Sequence, residues 1–414
     1  MEVDDYHQCR RALTQILARP TIYGYIFAHC SPQSLVRFSR VSQAARRAVQ
    51  DYMDRAFNVN KRLSRYFRDP SAFRSLQART ATVISGSFAL QFFDRTFYPE
   101  SDLDLYVHPN PLVLDVGLYL DTEGYIFQPQ PWQEETWQAE IEYLCGTMRQ
   151  PIDEIEDPGE LSTLYPLKST RAVYTFVQKP AADADTEGPR KVQIIVSRSS
   201  PLGAILDFHS TCVMNAITYN AAYALFPLPT LEHCTSLIIN GANPSSHEAL
   251  EKYTRRGWRT IANSSPLLPF LDPHWFHFNK IRWVCDVHTW TIPLSTTDVT
   301  PPPRASPSSD ALSWDPFAES GWTLRYGPGK SAAPNFGIVS TKILRWGYTT
   351  PDEEYLDMLV DFFISQGRVE FSKLPQGGKD PEDHQDVWTW WDPIMPLFRA
   401  QYLKRLENGA AAAG

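Results

Sequence analysis

The stretch from residue 81 to residue 107 limits the folds open to this chain more than any other part of the sequence. It reads ATVISGSFALQFFDRTFYPESDLDLYV. Its apolar start predicts a short buried strand, which Gly86 ends, and residues 88–93 predict a short helix. The last residues alternate between polar and apolar, and this period of two predicts a second strand with Asp102 and Asp104 on one face.

The order of these groups predicts a site for a metal ion and a phosphate compound. Asp102 and Asp104 offer the hard oxygen ligands that Mg²⁺ prefers, and they leave positions for water and substrate phosphates. Gly86 lets the backbone approach a phosphate closely, and the start of the following helix favours an anion to which Ser87 can donate. A separate Asp-x-Asp pair is more often a solvated strand edge, so the prediction depends on the order of all these parts.

The same stretch resembles the motif of the polymerase-beta-like nucleotidyltransferase superfamily. That motif is an apolar residue, Gly, a further Gly or Ser, a spacer, and then Asp-x-Asp within a strand; the spacer here, residues 88–101, is slightly longer. The resemblance implies a metal-dependent nucleotidyltransferase with an NTP substrate and Mg²⁺ or Mn²⁺ as cofactor. It implies that Asp102 and Asp104 are the catalytic metal ligands and that Gly86 and Ser87 bind the nucleotide.

A third carboxylate usually completes this site in the superfamily, and here it is missing from the expected place. The matching strand is KVQIIV, residues 191–196, and Gln193 stands where the acid is expected. Divergent relatives instead carry a Phe-Asp pair further on, where this chain has Phe208 and His209. Gln193, Asp207 and His209 remain candidates for the third ligand, with structural roles as the alternative for the last two. The chain is therefore either an active enzyme or a degenerate descendant that still binds a nucleotide.

Residues 17–52 resemble an F-box, a helical motif that binds the Skp-type adaptor of a ubiquitin ligase. The shared features are a proline before the first helix, an Ile-Phe pair and a Ser-Pro helix start, whereas the usual Trp near the end is absent. The resemblance implies a partner-binding surface formed by Ile26, Phe27, Pro32, Leu35 and Phe38. The alternative is a helical lid on the catalytic core. Residues 15–265 together look like a protein family of basidiomycete fungi.

Charge and cysteine usage exclude several other classes. The formal net charge of −8 argues against a general nucleic-acid binder, which needs a basic face. The six cysteines are scattered without a Cys-x-x-Cys pair, which favours buried thiols in a reducing compartment. No run approaches the roughly 18 apolar residues of a membrane span. We therefore expect an intracellular protein, cytoplasmic or nuclear, that does not bind membranes; the acceptor stays open.

The expected fold class is α+β, with four parts along the chain. Residues 10–67 form the helical F-box-like segment, and residues 70–265 form a nucleotidyltransferase-like mixed sheet with flanking helices. Residues 266–405 are a region of uncertain character, in which the Pro- and Ser-rich residues 297–312 predict a linker that does not pack into a core. Residues 406–414 are expected to be a disordered tail.

Three further groups are weighed as candidates. They are the His and Asp residues of the segment 272–288 (Asp272, His274, His277, Asp286 and His288), the Trp-rich residues 388–391, and the basic residues Lys252, Arg255 and Arg256 on a helix predicted over residues 245–263. The histidine segment alternates like a strand, which puts His274 and His277 on opposite faces and disfavours a zinc site. The tryptophans are expected to close a core. The basic residues could reach a triphosphate, but a solvated helix face is the favoured interpretation.

Overall fold

A computed structural model describes residues 12–148, 169–178, 189–240, 244–306, 314–327, 330–374 and 388–413. Its N-terminal helices are residues 12–17, α1 (Pro20–Ala28), α2 (Pro32–Ser39) and α3 (Gln43–Ala56). The Ser31 hydroxyl accepts a hydrogen bond from the Ser34 backbone N–H, which confirms the Ser-Pro helix start. Apolar side chains of α1, α2 and α3 form one cluster, so these helices make a small bundle with its own core.

Two short helices lead from this bundle to the sheet: α4 (Val59–Leu63) and α5 (Pro70–Thr80). The pattern predicts one helix over residues 48–67, and this prediction is wrong. The Asn58 side chain accepts from the backbone N–H of Lys61 and starts a new helix. Asn favours helix caps because it competes with the backbone for hydrogen bonds, so the chain turns there.

The central element is an eight-stranded mixed sheet. Its strands are β1 (Val83–Ser85), β2 (Leu103–Val107), β3 (Ile126–Gln128), β4 (Thr170–Gln178), β5 (Arg190–Ser197), β6 (Asn215–Ile217), β7 (Ala221–Ala224) and β11 (Trp290–Pro293). Their order in the sheet is β11-β7-β6-β1-β2-β5-β4-β3. β2 and β5 are parallel, and the other neighbouring pairs are antiparallel. The α+β class with a mixed sheet is thereby confirmed.

Helices cover the sheet, and alternate side chains of its central strands enter different cores. The helices are α6 (Gly86–Asp94), α7 (Val113–Thr122), α8 (Trp137–Met148), α9 (Pro201–Leu206) and α10 (Pro244–Arg255). On β2, Leu103 and Leu105 join one apolar cluster while Tyr106 joins another. Because successive side chains of a strand point to opposite faces, this division shows that both faces of β2 are packed.

The C-terminal half adds smaller sheets and two long helices. These are β8 (Thr235–Leu237) with β9 (Arg259–Ile261); β10 (Ile281–Trp283), β12 (Gly321–Gly327) and β13 (Lys330–Asn335); β14 (Gly337–Val339) with β15 (Tyr348–Thr350); and the helices α11 (Glu353–Phe371) and α12 (Met395–Ala413). The expected division at residue 265 does not coincide with a break in the structure, because β11 belongs to the main sheet. No helix in the described ranges is long and apolar enough to cross a membrane.

Three expectations for the second half of the chain are corrected. The helix predicted over residues 245–263 ends at Arg255, and β9 follows the left-handed Gly257. The described part of the expected linker, residues 297–306, packs: the backbone N–H of Thr300 donates to Ser75 Oγ at 2.9 Å; residues 307–312 lie outside the described ranges. Residues 406–413 of the expected disordered tail continue α12, because alanine has the highest helix propensity; residue 414 lies outside the described ranges.

The cysteines agree in part with the expectation of buried free thiols. None of those in the described ranges is in a disulfide. Cys212 is buried as expected, and burial raises the pKa of its thiol to about 11. Cys234 and Cys285 are exposed, so the expectation of buried thiols is wrong for these two.

Candidate functional site

The loop from β1 into α6 lies directly against the carboxylate of Asp104. Antiparallel pairing of β1 with β2 places Ser85 opposite Asp104. Gly86 follows with a φ of +67°, and a Cβ added there would lie 2.6 Å from Asp104 Oδ2. Only glycine leaves room for this carboxylate, and it also accepts the left-handed backbone without strain. Ser87 lies in the first turn of α6 and is partly exposed, so the predicted groups are brought together.

The carboxylates of Asp102 and Asp104 differ in their neighbouring charges and in their pKa. Asp104 is half-buried, and burial together with the negative charge of Asp102 raises the pKa of its carboxyl to about 7. The charges of Lys191 and Lys252 act in the opposite direction. Two carboxylates held close together in a partly desolvated place attract a cation, because a positive charge relieves both the burial and their repulsion.

The strand β5 supplies the other groups on this face. It runs parallel to β2 in a register that sets Gln193 opposite Asp104. The amide of Gln193 donates to Thr175 Oγ1 on β4 at 3.4 Å. Two residues earlier, Lys191 Nζ lies 2.7 Å from Asp102 Oδ2. Lys191 is missing from the sequence-based site, although the alternation of the predicted strand already put it on the face of Gln193.

Asp207, the second candidate for the third ligand, is bound elsewhere. It follows α9, where its carboxylate accepts from the backbone N–H of Ser169 at 3.3 Å and from the amide of Asn240 at 2.7 Å. Burial raises its pKa, while these two hydrogen bonds act against the rise. These contacts correspond to the helix-terminal role that the sequence left as the alternative.

His209, the third candidate, lies beside α10. Its ring stacks on Tyr253 with centroids 5.5 Å apart, and its Nδ1 is 2.8 Å from Ser210 Oγ. Burial, with a smaller contribution from the charge of Lys252, lowers the pKa of His209 to about 4. His209 is therefore a neutral, hydrogen-bonded histidine at physiological pH.

The basic residues on α10 and in the turn after it are not all on a solvated face. The side chain of Arg256 is 10% exposed, its guanidinium lies 3.6 Å from the ring centroid of Tyr98, and it forms an ion pair with Glu100. Burial and the charge of Arg256 lower the pKa of Lys252, while Glu100, Asp102 and Asp104 act to raise it. The solvated-face interpretation is therefore wrong for Arg256 and holds for the exposed Arg255. Lys252 brings a positive charge to the carboxylates.

The donor set of the site fits a divalent cation with two carboxylate ligands. No cluster of three or more His, Cys, Asp or Glu side chains within the described ranges is arranged to hold a metal ion. Asp102 and Asp104 are hard oxygen donors, and burial of Asp104 beside the charge of Asp102 raises the pKa of its carboxyl although Lys191 and Lys252 act in the opposite direction. The amide of Gln193 offers only a weak neutral ligand.

Comparisons with known proteins do not place the chain in a family. Neither the known protein families, nor the curated proteins, nor the solved structures contain a match. Function is therefore inferred from the geometry of the site.

The residues of the expected F-box surface differ in accessibility. Phe27 and Leu35 are 4% and 1% exposed, in the core of the bundle. Ile26 is 43% exposed, whereas Pro32 and Phe38 are partly buried. Of the five expected contact residues, Ile26 is thus the one whose side chain is most open to a partner.

The bundle is joined to the core where α1 ends and α2 begins. The guanidinium of Arg95, which follows α6, donates to the backbone carbonyls of Phe27 at 3.0 Å and Cys30 at 2.8 Å. The backbone N–H of Gln33 donates to Glu232 at 2.7 Å. Arg95 follows the C-terminal end of α6, so these contacts attach the bundle at the end of this helix opposite to the first turn that forms the candidate site.

The two remaining candidates have different outcomes. The segment around His274 is a turn and not a strand, and the rings of His274 and His277 lie 6.0 Å apart, so the expectation of opposite faces is wrong. The ring of His277 lies 3.8 Å from that of His288 with an interplanar angle of 31°. Trp388 is 1% exposed in the C-terminal core, which confirms the core-closing role.

Proposed function

We propose that this protein is a metal-dependent nucleotidyltransferase-like protein that binds an NTP at the site formed by Gly86, Ser87, Asp102 and Asp104. The observation that carries the proposal is the fit between Gly86 and the Asp104 carboxylate, which leaves no room for a Cβ. This contact brings the carboxylate that would hold the metal next to the start of α6, where Gly86 is buried and Ser87 is partly exposed. Metal binding and phosphate binding would therefore take place at one position in the fold.

Each residue has a definite role in this proposal. Asp102 and Asp104 would hold Mg²⁺ or Mn²⁺, which supplies positive charge to the phosphates when bound. The backbone after Gly86 and the hydroxyl of Ser87 bind phosphate oxygens, and Lys252 adds a positive charge from α10. Gln193 cannot accept a proton at neutral pH, so this position does not activate an acceptor. The residues therefore support nucleotide binding more strongly than transfer.

Calorimetric titration with each NTP tests the proposal. In Mg²⁺ we expect binding of at least one NTP, and in EDTA we expect binding to be lost. Exchanging both ligands, Asp102→Asn with Asp104→Asn, should weaken binding about 100-fold or more, because the metal loses its two carboxylate ligands.

A charge-matched variant controls this titration. Asp121→Asn with Asp357→Asn removes two exposed carboxylates from α7 and α11, outside the site, and should bind like the wild type. If no NTP binds to the folded wild type, or if both double variants lose affinity equally, the proposal is refuted.

The raised pKa of Asp104 gives a second test, based on stability. In the unfolded chain the carboxyl has a pKa of about 3.9, against about 7 in the fold. Between these values the folded state binds more protons, so the free energy of unfolding falls as pH rises from about 4 to 7. In EDTA at pH 8, Asp104→Asn should therefore be more stable than wild type by about 1–3 kcal/mol, after discounting for partial exposure.

The difference should shrink as the pH falls and disappear at about pH 3, where the wild-type carboxyl is mostly protonated in both states. Urea unfolding at the two pH values measures it, with Asp121→Asn as the control. A variant that is equally or less stable at pH 8 would show that Asp104 does not carry an uncompensated charge.

The exposed apolar face of α1 favours a second function, that of an F-box substrate receptor. Ile22, Tyr25 and Ile26 are 38%, 73% and 43% exposed, and their spacing places them on one side of the helix. Ile26→Asp should abolish binding to a Skp-type adaptor in a pull-down assay, whereas Val287→Asp, at a residue 93% exposed and outside the bundle, should not. Phe27 is unsuitable for this test because a charge there would disrupt the core of the bundle. Unchanged adaptor binding in Ile26→Asp, or none in the wild type, counts against the receptor.

A further inference from the structure

Lys191 places a positive charge inside the proposed metal site. Its ammonium lies 2.7 Å from Asp102 Oδ2, and the two side chains are 37% and 32% exposed. Lys191 and Gln193 are two residues apart on β5, so their side chains leave the same face of the strand. The parallel register opposes Gln193 to Asp104, which puts both residues of β5 on the face that carries the two carboxylates.

The side chains at this site determine the net charge with which a metal ion interacts. Asp102 and Asp104 each carry a negative charge when ionised, Lys191 carries a positive charge, Gln193 is neutral, and Lys252 adds a positive charge from α10. These charges balance, so one divalent ion makes the site positive and a second divalent ion would be repelled. Two-metal sites depend on carboxylates to clamp both ions. The face of β5 that could supply the extra carboxylate instead supplies a cation.

The effect of Lys191 extends beyond the residue with which it pairs. Lys191 pairs with Asp102 and lies two residues from Gln193, which stands opposite Asp104, so its charge lies near both carboxylates. An isolated surface ion pair contributes little. Here the lysine extends from a strand, and the register of the sheet sets its position relative to both acids.

We propose that Lys191 acts as a fixed cation in the site, which therefore binds one divalent ion and not two. This inference rests on the proposed function. Lys191 neutralises Asp102 and leaves Asp104 as the main ligand of the single ion. A nucleotide bound at this site then interacts with one divalent metal ion and with the ammonium of Lys191.

Counting Mn²⁺ sites by electron paramagnetic resonance tests this role without an activity assay. The wild type should bind one Mn²⁺. Lys191→Met should bind Mn²⁺ about fivefold more tightly, because the competing ammonium is removed. Lys191→Met combined with Gln193→Asp should bind two, because a third carboxylate then faces Asp104.

Two variants serve as controls. Lys191→Arg keeps the charge and should bind one Mn²⁺ with nearly wild-type affinity. Lys280→Met removes an exposed lysine next to β10 and should have no effect. Circular dichroism shows whether each variant is folded, and Lys191→Met alone still tests the inference if the double variant fails to fold.

The failures of the two proposals are distinguishable. If neither the wild type nor the Lys191 variants bind Mn²⁺, the proposed function itself is contradicted. If the wild type binds one Mn²⁺ and Lys191→Met leaves the affinity unchanged, only the role of Lys191 is refuted. Two Mn²⁺ sites in the wild type would overturn the fixed-cation role while supporting the proposed function.

Discussion

Gly86→Ala is expected to reduce metal-dependent nucleotide binding about 100-fold and to lower the free energy of unfolding by about 1–3 kcal/mol. The new Cβ would lie 2.6 Å from Asp104 Oδ2, so the carboxylate has to move. A displaced Asp104 no longer shares an ion with Asp102. The φ of +67° adds backbone strain for alanine. Calorimetry and urea unfolding measure the two effects separately.

A second glycine separates strain from the loss of the site. Gly124, between α7 and β3, has a φ of +85°, and a Cβ there would meet only Gln178 Nε2 at 3.6 Å. Gly124→Ala should therefore lower stability while leaving nucleotide affinity unchanged. If Gly86→Ala keeps wild-type affinity, the contact between Gly86 and Asp104 has no part in binding. If Gly124→Ala loses affinity equally, global destabilisation explains both results.

Arg282→Met is expected to destabilise the protein by about 3–5 kcal/mol, the largest effect outside the site. The side chain of Arg282 is 1% exposed, and its Nε lies 2.5 Å from Asp286 Oδ2. It also donates to the carbonyl of Leu225, next to β7. Burial alone would raise the pKa of Asp286, but the hydrogen bond and charge of Arg282 hold it below its usual range. Without the guanidinium, Asp286 keeps a buried charge with no cation beside it.

The double variant Arg282→Met with Asp286→Leu separates the lost charge pair from lost packing. Removing both charges should recover a large part of the stability, because apolar residues can replace a buried ion pair at little cost. Arg325→Met, at an exposed position on β12, is the control and should change the free energy of unfolding by less than about 0.5 kcal/mol. A loss below about 1 kcal/mol in Arg282→Met would show that water reaches Asp286.

The parts of the fold set by local pattern could be predicted, and those set by distant contacts could not. The strands beside Gly86 and Asp104 follow from short-range alternation, and they lie within a few residues of their predicted positions. By contrast, β11 pairs with β7 across a long sequence separation, and no local pattern shows this. Local composition also suggested a linker in residues 297–312, whereas tertiary hydrogen bonds hold the part that is described.

The residues of the candidate site also include some that the local pattern predicts and others that depend on distant contacts. Its acids and its glycine belong to one continuous stretch, so their proximity could be predicted from the sequence. Arg256 lies in the turn after the distant helix α10, and its guanidinium packs on the ring of Tyr98, a contact that no helix pattern predicts. Lys191 is an intermediate case, because its face was predictable from the strand but its partner depends on the parallel register.

The position of β11 at the edge of the main sheet has a consequence for synthesis on the ribosome. β7 emerges from the ribosome well before β11, so the backbone N–H and C=O groups of β7 that pair with β11 stay unpaired during that interval. An uncovered strand edge is a template on which a second nascent chain can add. A fragment ending at residue 265 would keep this edge permanently, and we expect it to aggregate where the full chain stays monodisperse.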